Sequence, residues 1–475
     1  MLEVELLDDD GAPAPSPEHR RIPRRWIVVA GIATVITVAL TQWVGVARER
    51  AAVARLAEVP GVLRPVDDTL VVARRVSPAE LGVLDADTGG VVDVAGDGSQ
   101  TITWNGWTTE LSGADERFAD AEGDVLVGTT CELDSAPGAE PSTASHLVCL
   151  VTDGGSIVDG GSGFAEVPAT ARRVVVLSAD DGTVLAQWPV DRGDSMALFS
   201  GGVVLGSATP RDITLTAYVS LTGEQRWSHV DRQPEGFALS DSGVRYVSIF
   251  RAGELLGYAP SGGSLQLVGA DGTVVRRMSD TVGDGSWGWM TDPRTGLLVM
   301  QSVDATGSPL TTFVAADGDP ESDVTVDGQP LQVTVDDGSV RGLLLTSADG
   351  VHAWDAGSGA SRWTHDVGVV SNALVLRGGV YLATSREVVA LDGRTGRVLW
   401  TTGRATDLEP RGVLTDGQHV LAALGGATPA LVAYDPAGGH EVFRAPYPPG
   451  VTEVTAIGRR LVGRDLAADE YEVLE

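Results

Sequence analysis

The chain has 475 residues, 43% hydrophobic and 21% charged, and its 65 acidic against 34 basic residues give a formal net charge of −31. So much apolar material excludes a chain that stays disordered, and so much negative charge argues against a nucleic-acid partner, whose phosphates it would repel. With 60 glycines and 5% aromatic residues, the composition favours short elements joined by tight turns over long helices.

Residues 1–25 are acidic and proline-containing and read as a disordered tail on the cytoplasmic side. Residues 26–46 (WIVVAGIATVITVALTQWVGV) run for 21 positions without a charge. As a helix they would span about 30 Å, the thickness of a bilayer's hydrocarbon core. Trp26 and Trp43 lie near the two ends, where indoles favour the membrane interface. A cleavable signal peptide is the rival reading, but the tail before the run is long and no A-x-A site follows it closely. One uncleaved transmembrane helix is therefore expected. Arg20, Arg21, Arg24 and Arg25 favour an N-terminus inside the cell, with the rest of the chain outside. Residues 47–64 are expected to form a stalk and linker, and residues 65–475 a single repeat domain.

That domain repeats a short apolar strand, an Asp-rich turn ending in Gly, and a second strand. The turn glycines are Gly89, Gly182, Gly223, Gly272, Gly318, Gly359, Gly396 and Gly439. Asp and Thr hydrogen-bond their own backbone, and Gly takes the positive φ that closes a hairpin. Upstream in several units lies a Gly followed by an apolar run, as in GDVLVGTT (123–130), GGVVLGSA (201–208) and GGVYLATS (378–385). Each unit thus holds at least three strands and has room for four. A sheet of that size cannot bury its faces alone, and repeats of this period stack radially into a β-propeller.

The best copies carry an aromatic or Leu, then Asp, Gly and an aromatic at fixed spacing. They are Leu391, Asp392, Gly396 and Trp400; Trp354, Asp355, Gly359 and Trp363; and Tyr434, Asp435, Gly439 and Phe443. This pattern resembles the PQQ-like (quinoprotein-type) β-propeller repeat, over roughly residues 65–475 and most clearly over 350–445. The resemblance implies an all-β fold of seven or eight four-stranded antiparallel blades, with each repeated Trp docked between neighbours. Eight turn glycines favour eight blades. The strands TLVVARR (69–75) and YEVL (471–474) would let the two ends of the domain close the ring.

Few residues suggest chemistry. Cys131 and Cys149, the two cysteines, lie on predicted strands outside the membrane and are expected to form a disulfide. None of the seven histidines has a zinc-ligand spacing, and no nucleophile elbow, P-loop or dinucleotide fingerprint occurs. Asp85 to Gly89 resembles a calcium loop but lacks its twelfth-position Glu. Trp104, Trp107, Trp287 and Trp289 stand off the repeat register and are candidates for a ligand-facing surface, with packing between blades as the competing role. The Gly-rich stretch 152–172 reads as an inserted surface loop.

The expected function is a membrane-anchored, extracytoplasmic scaffold that binds a protein, peptide or envelope ligand, without a cofactor, metal or catalytic residue. The alternative is a quinoprotein dehydrogenase using PQQ and Ca²⁺. The resemblance implies for such enzymes acidic and amide calcium ligands and, often, adjacent cysteines. Here the cysteines are 18 positions apart and the only Asn residues are Asn105 and Asn372.

Overall fold

Apolar and polar residues alternate along short runs such as Asp212–Tyr218 (DITLTAY), and burial alternates with the same period. Such a run is a strand with one face against a neighbouring sheet. The computed structural model describes Leu56, Val59 and residues 61–76, 91–94, 99–104, 107–113, 125–127, 129–133, 144–153, 156–159, 164–167, 171–191, 195–209, 211–232, 247–260, 264–278, 288–292, 294–402, 408–466 and 470–475. The apolar run 26–46, the calcium-like loop, Asn105 and Trp287 lie outside these residues. Among the described residues no helix is long and apolar enough to cross a membrane.

The chain divides after Arg55. The domain thus begins earlier than residue 65, because Leu56, Val62 and Leu63 are buried against its sheets. Its described elements are 39 strands and one 3-10 turn at Pro320–Ser322. They form ten sheets, seven of them four-stranded, one five-stranded and two three-stranded. A typical sheet is an antiparallel meander, as in Ser195–Phe199, Gly202–Ala208, Asp212–Tyr218 and Gln225–Arg232. The Gly-plus-apolar runs at 202–208 and 379–384 are second strands, and the Asp-rich turns join third to fourth strands.

One expectation is corrected. Val125–Val127 is separate from Thr130–Leu133 and pairs with Ser156–Asp159, which in turn pairs with Phe164–Val167. The stretch 152–172 is therefore no plain loop: it holds the two strands SIVD and FAEV, paired antiparallel. The chain leaves the Val125–Val127 sheet before Thr129, whose hydroxyl donates to Gln100 and accepts the N–H of Thr152.

The Asp-rich turns are held by their own side chains. Asp392 Oδ1 accepts from the N–H groups of Arg394 (3.1 Å) and Thr395 (2.9 Å) and from the Thr395 hydroxyl (2.8 Å). The Thr395 hydroxyl is the main reason the Asp392 carboxyl sits below its ordinary value. Asp355 accepts similarly from Gly357 and Ser358, and hydrogen bonds from Arg362 and then Ser358 hold it at about 2. Asp181, Asp271 and Asp304 are lowered by Ser178, Thr273 and Thr306 respectively. Carboxyls depressed by folding contribute their full stabilisation above the unfolded value, near pH 4, and lose it as pH falls through the folded one. The melting temperature should therefore fall between about pH 4 and pH 2, and Asp355→Asn should shallow that fall in a thermal titration.

Successive sheets lock through a repeated junction. Gly396 has φ +67°, and a Cβ there would lie 2.7 Å from the Trp363 ring. Only glycine both turns the chain and admits the indole. Trp363 Nε1 donates to Gly393 O (3.0 Å), inside the same turn. Trp400 repeats the contact on the Gly439 turn, donating to Pro436 O (2.9 Å). Trp188 sits on the Gly223 turn and Trp227 on the Gly272 turn, donating to Ser220 and Ala270. Where the tryptophan is missing, Val275 lies under Gly318 and Val324 under Gly359.

The two ends of the domain meet in one sheet. Val72–Val76 adds as the outer strand to Glu470–Leu474, beside Arg460–Asp465 and Glu453–Ile457. Arg75 ties the edge through Glu470 (3.1 Å) and Glu472 (3.2 Å).

Candidate functional site

Of the four off-register tryptophans, Trp104 is 7% exposed and packs in a core cluster with Ile102 and Leu147. Trp107 occupies a junction position: its ring lies on Gly182 and its Nε1 donates to Ala179 O (3.1 Å). Both are therefore packing residues, and Trp107 belongs to the repeat after all. Its partner turn lies about 75 residues downstream, too far for a local pattern to connect them.

Trp289 is different. It sits on Gly288–Thr291, a strand exposed at all four positions, and is itself 39% exposed. One face of its indole stacks on Phe250, with ring centroids 4.2 Å apart and planes at 21°. Met300 lies opposite it on the neighbouring strand, and Met278 joins Phe250 and Met300 on the same apolar cluster. Met290, on the other face, is 41% exposed. Met300 is thus the methionine placed directly beside the exposed indole. The scaffold beneath is firm: Thr291 Oγ1 donates to Arg251 O (3.1 Å) and Gly253 N to Gly296 O (2.8 Å). These bonds tie the first strand of one sheet, Val247–Ala252, to the hairpin of the next. An exposed indole backed by an aromatic ring and a thioether offers contact area at low entropic cost.

The buried polar groups are structural. Asn372 Nδ2 donates to Val413 O (3.2 Å) and its Oδ1 accepts from Val413 N (2.8 Å), so the amide bridges the first strands of two sheets. Glu132 plays a similar part by accepting Leu198 N (2.9 Å), and its burial pushes the carboxyl up against that bond. Asp231 accepts from Gln266 and from the hydroxyl of Tyr258 (3.2 Å). Burial, then the Asp231 charge, raises Tyr258, and burial lowers His229 beside it.

These arrangements do not fit PQQ and calcium. Among the described residues no group of three or more His, Cys, Asp or Glu is placed to hold a metal. The amide oxygen of Asn372 is taken by a backbone N–H, and the carboxylates of Asp355 and Asp392 cap their own turns. Cys131 and Cys149 are joined as a disulfide between directly opposed strand positions rather than adjacent in sequence.

Residues 270–466 match the family described as outer membrane protein assembly factor BamB. This stretch is an array of PQQ-like propeller repeats. No curated protein matches the chain. Among solved structures, BamB from Moraxella catarrhalis is 13% identical, with 86% of this chain and 100% of that one covered and a TM-score of 0.31. The dihydro-heme d1 dehydrogenase NirN, in complex with DHE, is 15% identical, with 83% and 79% covered and a TM-score of 0.34. The PQQ-like repeats include the Trp363 and Trp400 junctions and the Trp289 surface.

Proposed function

We propose that the protein is a single-span, membrane-anchored, extracytoplasmic propeller of eight blades that binds a protein or peptide partner and performs no chemistry of its own. The observation that carries the binding role is the exposed Trp289, stacked on Phe250 and opposite Met300. The family matched by residues 270–466 is described as an outer membrane protein assembly factor, which suggests a partner that is itself a protein. Anchoring rests on the uncharged run 26–46, and the outside location on the arginines before it and on the disulfide, which persists in oxidising compartments.

Crosslinking in intact cells, comparing the wild-type chain with Trp289→Ala, tests the binding role. Truncating a central indole anchor typically costs about 2 kcal/mol or more, roughly a thirtyfold loss of affinity. The crosslinked partner should disappear while the melting temperature holds, because the ring is partly exposed. An unchanged crosslink pattern rejects the assignment of this surface. For the anchor, protease added to spheroplasts should digest the propeller and spare an N-terminal tag. Release of a shortened mature form would instead identify a cleaved signal.

A further inference from the structure

We propose that a cavity where the two ends of the domain meet binds an amphiphile with a phosphate head. The chain from Arg64 to Leu70 crosses the last sheet as a strap. It is fixed at one end by Arg64 N donating to Arg459 O (2.9 Å), and beyond the other by the reciprocal pair Val71 N to Glu475 O (2.8 Å) and Glu475 N to Val71 O (3.0 Å). Between these anchors residues 65–70 make no backbone–backbone hydrogen bond among the described residues. Beneath the strap lies a cavity of about 300 Å³, the lower end of the size range of small-molecule sites. Leu70, Leu461 and Leu474, all buried, form its apolar wall.

Arg64, Arg459 and Arg460 also line it. Some arginines of this acid-rich chain are held by carboxylates, as Arg276 by Asp323 (2.7 Å), Arg294 by Asp336 (2.6 Å) and Arg444 by Glu441 (2.7 Å). The guanidiniums of Arg64, Arg459 and Arg460 make no hydrogen bond or ion pair among the described residues. Asp67 and Glu475 are the acidic residues of the lining. Three planar forks offer more donors than the two oxygens of a carboxylate can accept, whereas a phosphate monoester presents three terminal oxygens. The leucine wall takes the apolar body. A ligand seated there touches both the strap and the sheet it crosses, so binding also favours the closed domain over the unfolded chain.

The test uses the full-length chain in a maltoside detergent, with octyl phosphate as probe, followed by calorimetry and by thermal melting. Inorganic phosphate and octyl glucoside supply the head and the tail separately. We expect one equivalent of octyl phosphate to bind and to raise the melting temperature. Inorganic phosphate should bind at least tenfold more weakly, and octyl glucoside should leave the titration unchanged. The double variant Arg459→Gln, Arg460→Gln should lose at least tenfold in affinity. Arg64→Gln, on the exposed strap, provides the same comparison if the double variant folds poorly. The proposal is overturned if octyl phosphate does not bind, if octyl glucoside matches it, if inorganic phosphate binds as tightly and so marks an adventitious ion only, or if the arginine variants keep wild-type affinity.

Discussion

Trp400→Ala should destabilise the domain by about 3–5 kcal/mol, the range for emptying a large aromatic site in a packed core. Trp400 is 8% exposed and lies between Tyr381 and Tyr434, with ring centroids 5.8 Å and 6.0 Å away. Its Nε1 and the Tyr381 hydroxyl both donate to Pro436 O, at 2.9 Å and 3.2 Å. Alanine therefore removes an indole, a hydrogen bond and the floor on which the Gly439 turn rests. Trp400→Phe keeps most of the surface and loses the N–H, so it should cost nearer 1 kcal/mol. Gly439→Ala attacks the same joint from the other side, because φ there is +68° and an added Cβ meets the indole. Stability in a stacked array is a sum over units and their interfaces, so the damage should be local. Urea denaturation gives the size, and hydrogen exchange should show strands 398–401 and 430–446 loosening before the rest. Uniform loosening across all sheets would mean that the junctions do not act separately.

Removing the disulfide should cost about 3 kcal/mol, from the unfolded-chain entropy that a loop of this length returns. Cys131 and Cys149 are 18 residues apart and directly opposed, one half-buried and the other fully buried. The substitution to use is Cys→Ala at both positions, since Ser at the buried Cys149 would add an unsatisfied hydroxyl. Reductant should lower the wild-type melting temperature and leave the double variant unchanged. A reductant effect of equal size in both would place the sensitivity elsewhere.

What the sequence makes legible is what is local. The Asp, Thr and Gly of each turn hydrogen-bond within a few residues, so LDGRTG at 391–396 announces its hairpin without its neighbours. The strand pairing of Cys131 with Cys149 also follows from one short loop. The junction role of Trp107 does not, because the turn it covers belongs to another sheet far along the chain. The Trp289 surface was half visible: the off-register indole could be singled out, but Phe250, 39 positions earlier, carries no signal that it will stack there. The arginine cavity was invisible, since nothing in VLRP or IGRR anticipates that they meet.

The outermost strand of the last sheet is the first strand of the domain to be synthesised. Arg75 and Glu472, which hydrogen-bond across that seam, are separated by 397 positions. A ribosome delivering the chain from its N-terminus must therefore present Val72–Val76 long before its partner exists. Every intervening sheet can condense against its predecessor during elongation, while this strand waits as an open edge. Closing so large a loop comes late and is governed by the whole chain's contour rather than by any one sheet. Maturation of this domain is in that sense circular: its first strand completes it, and only after its last strand has emerged.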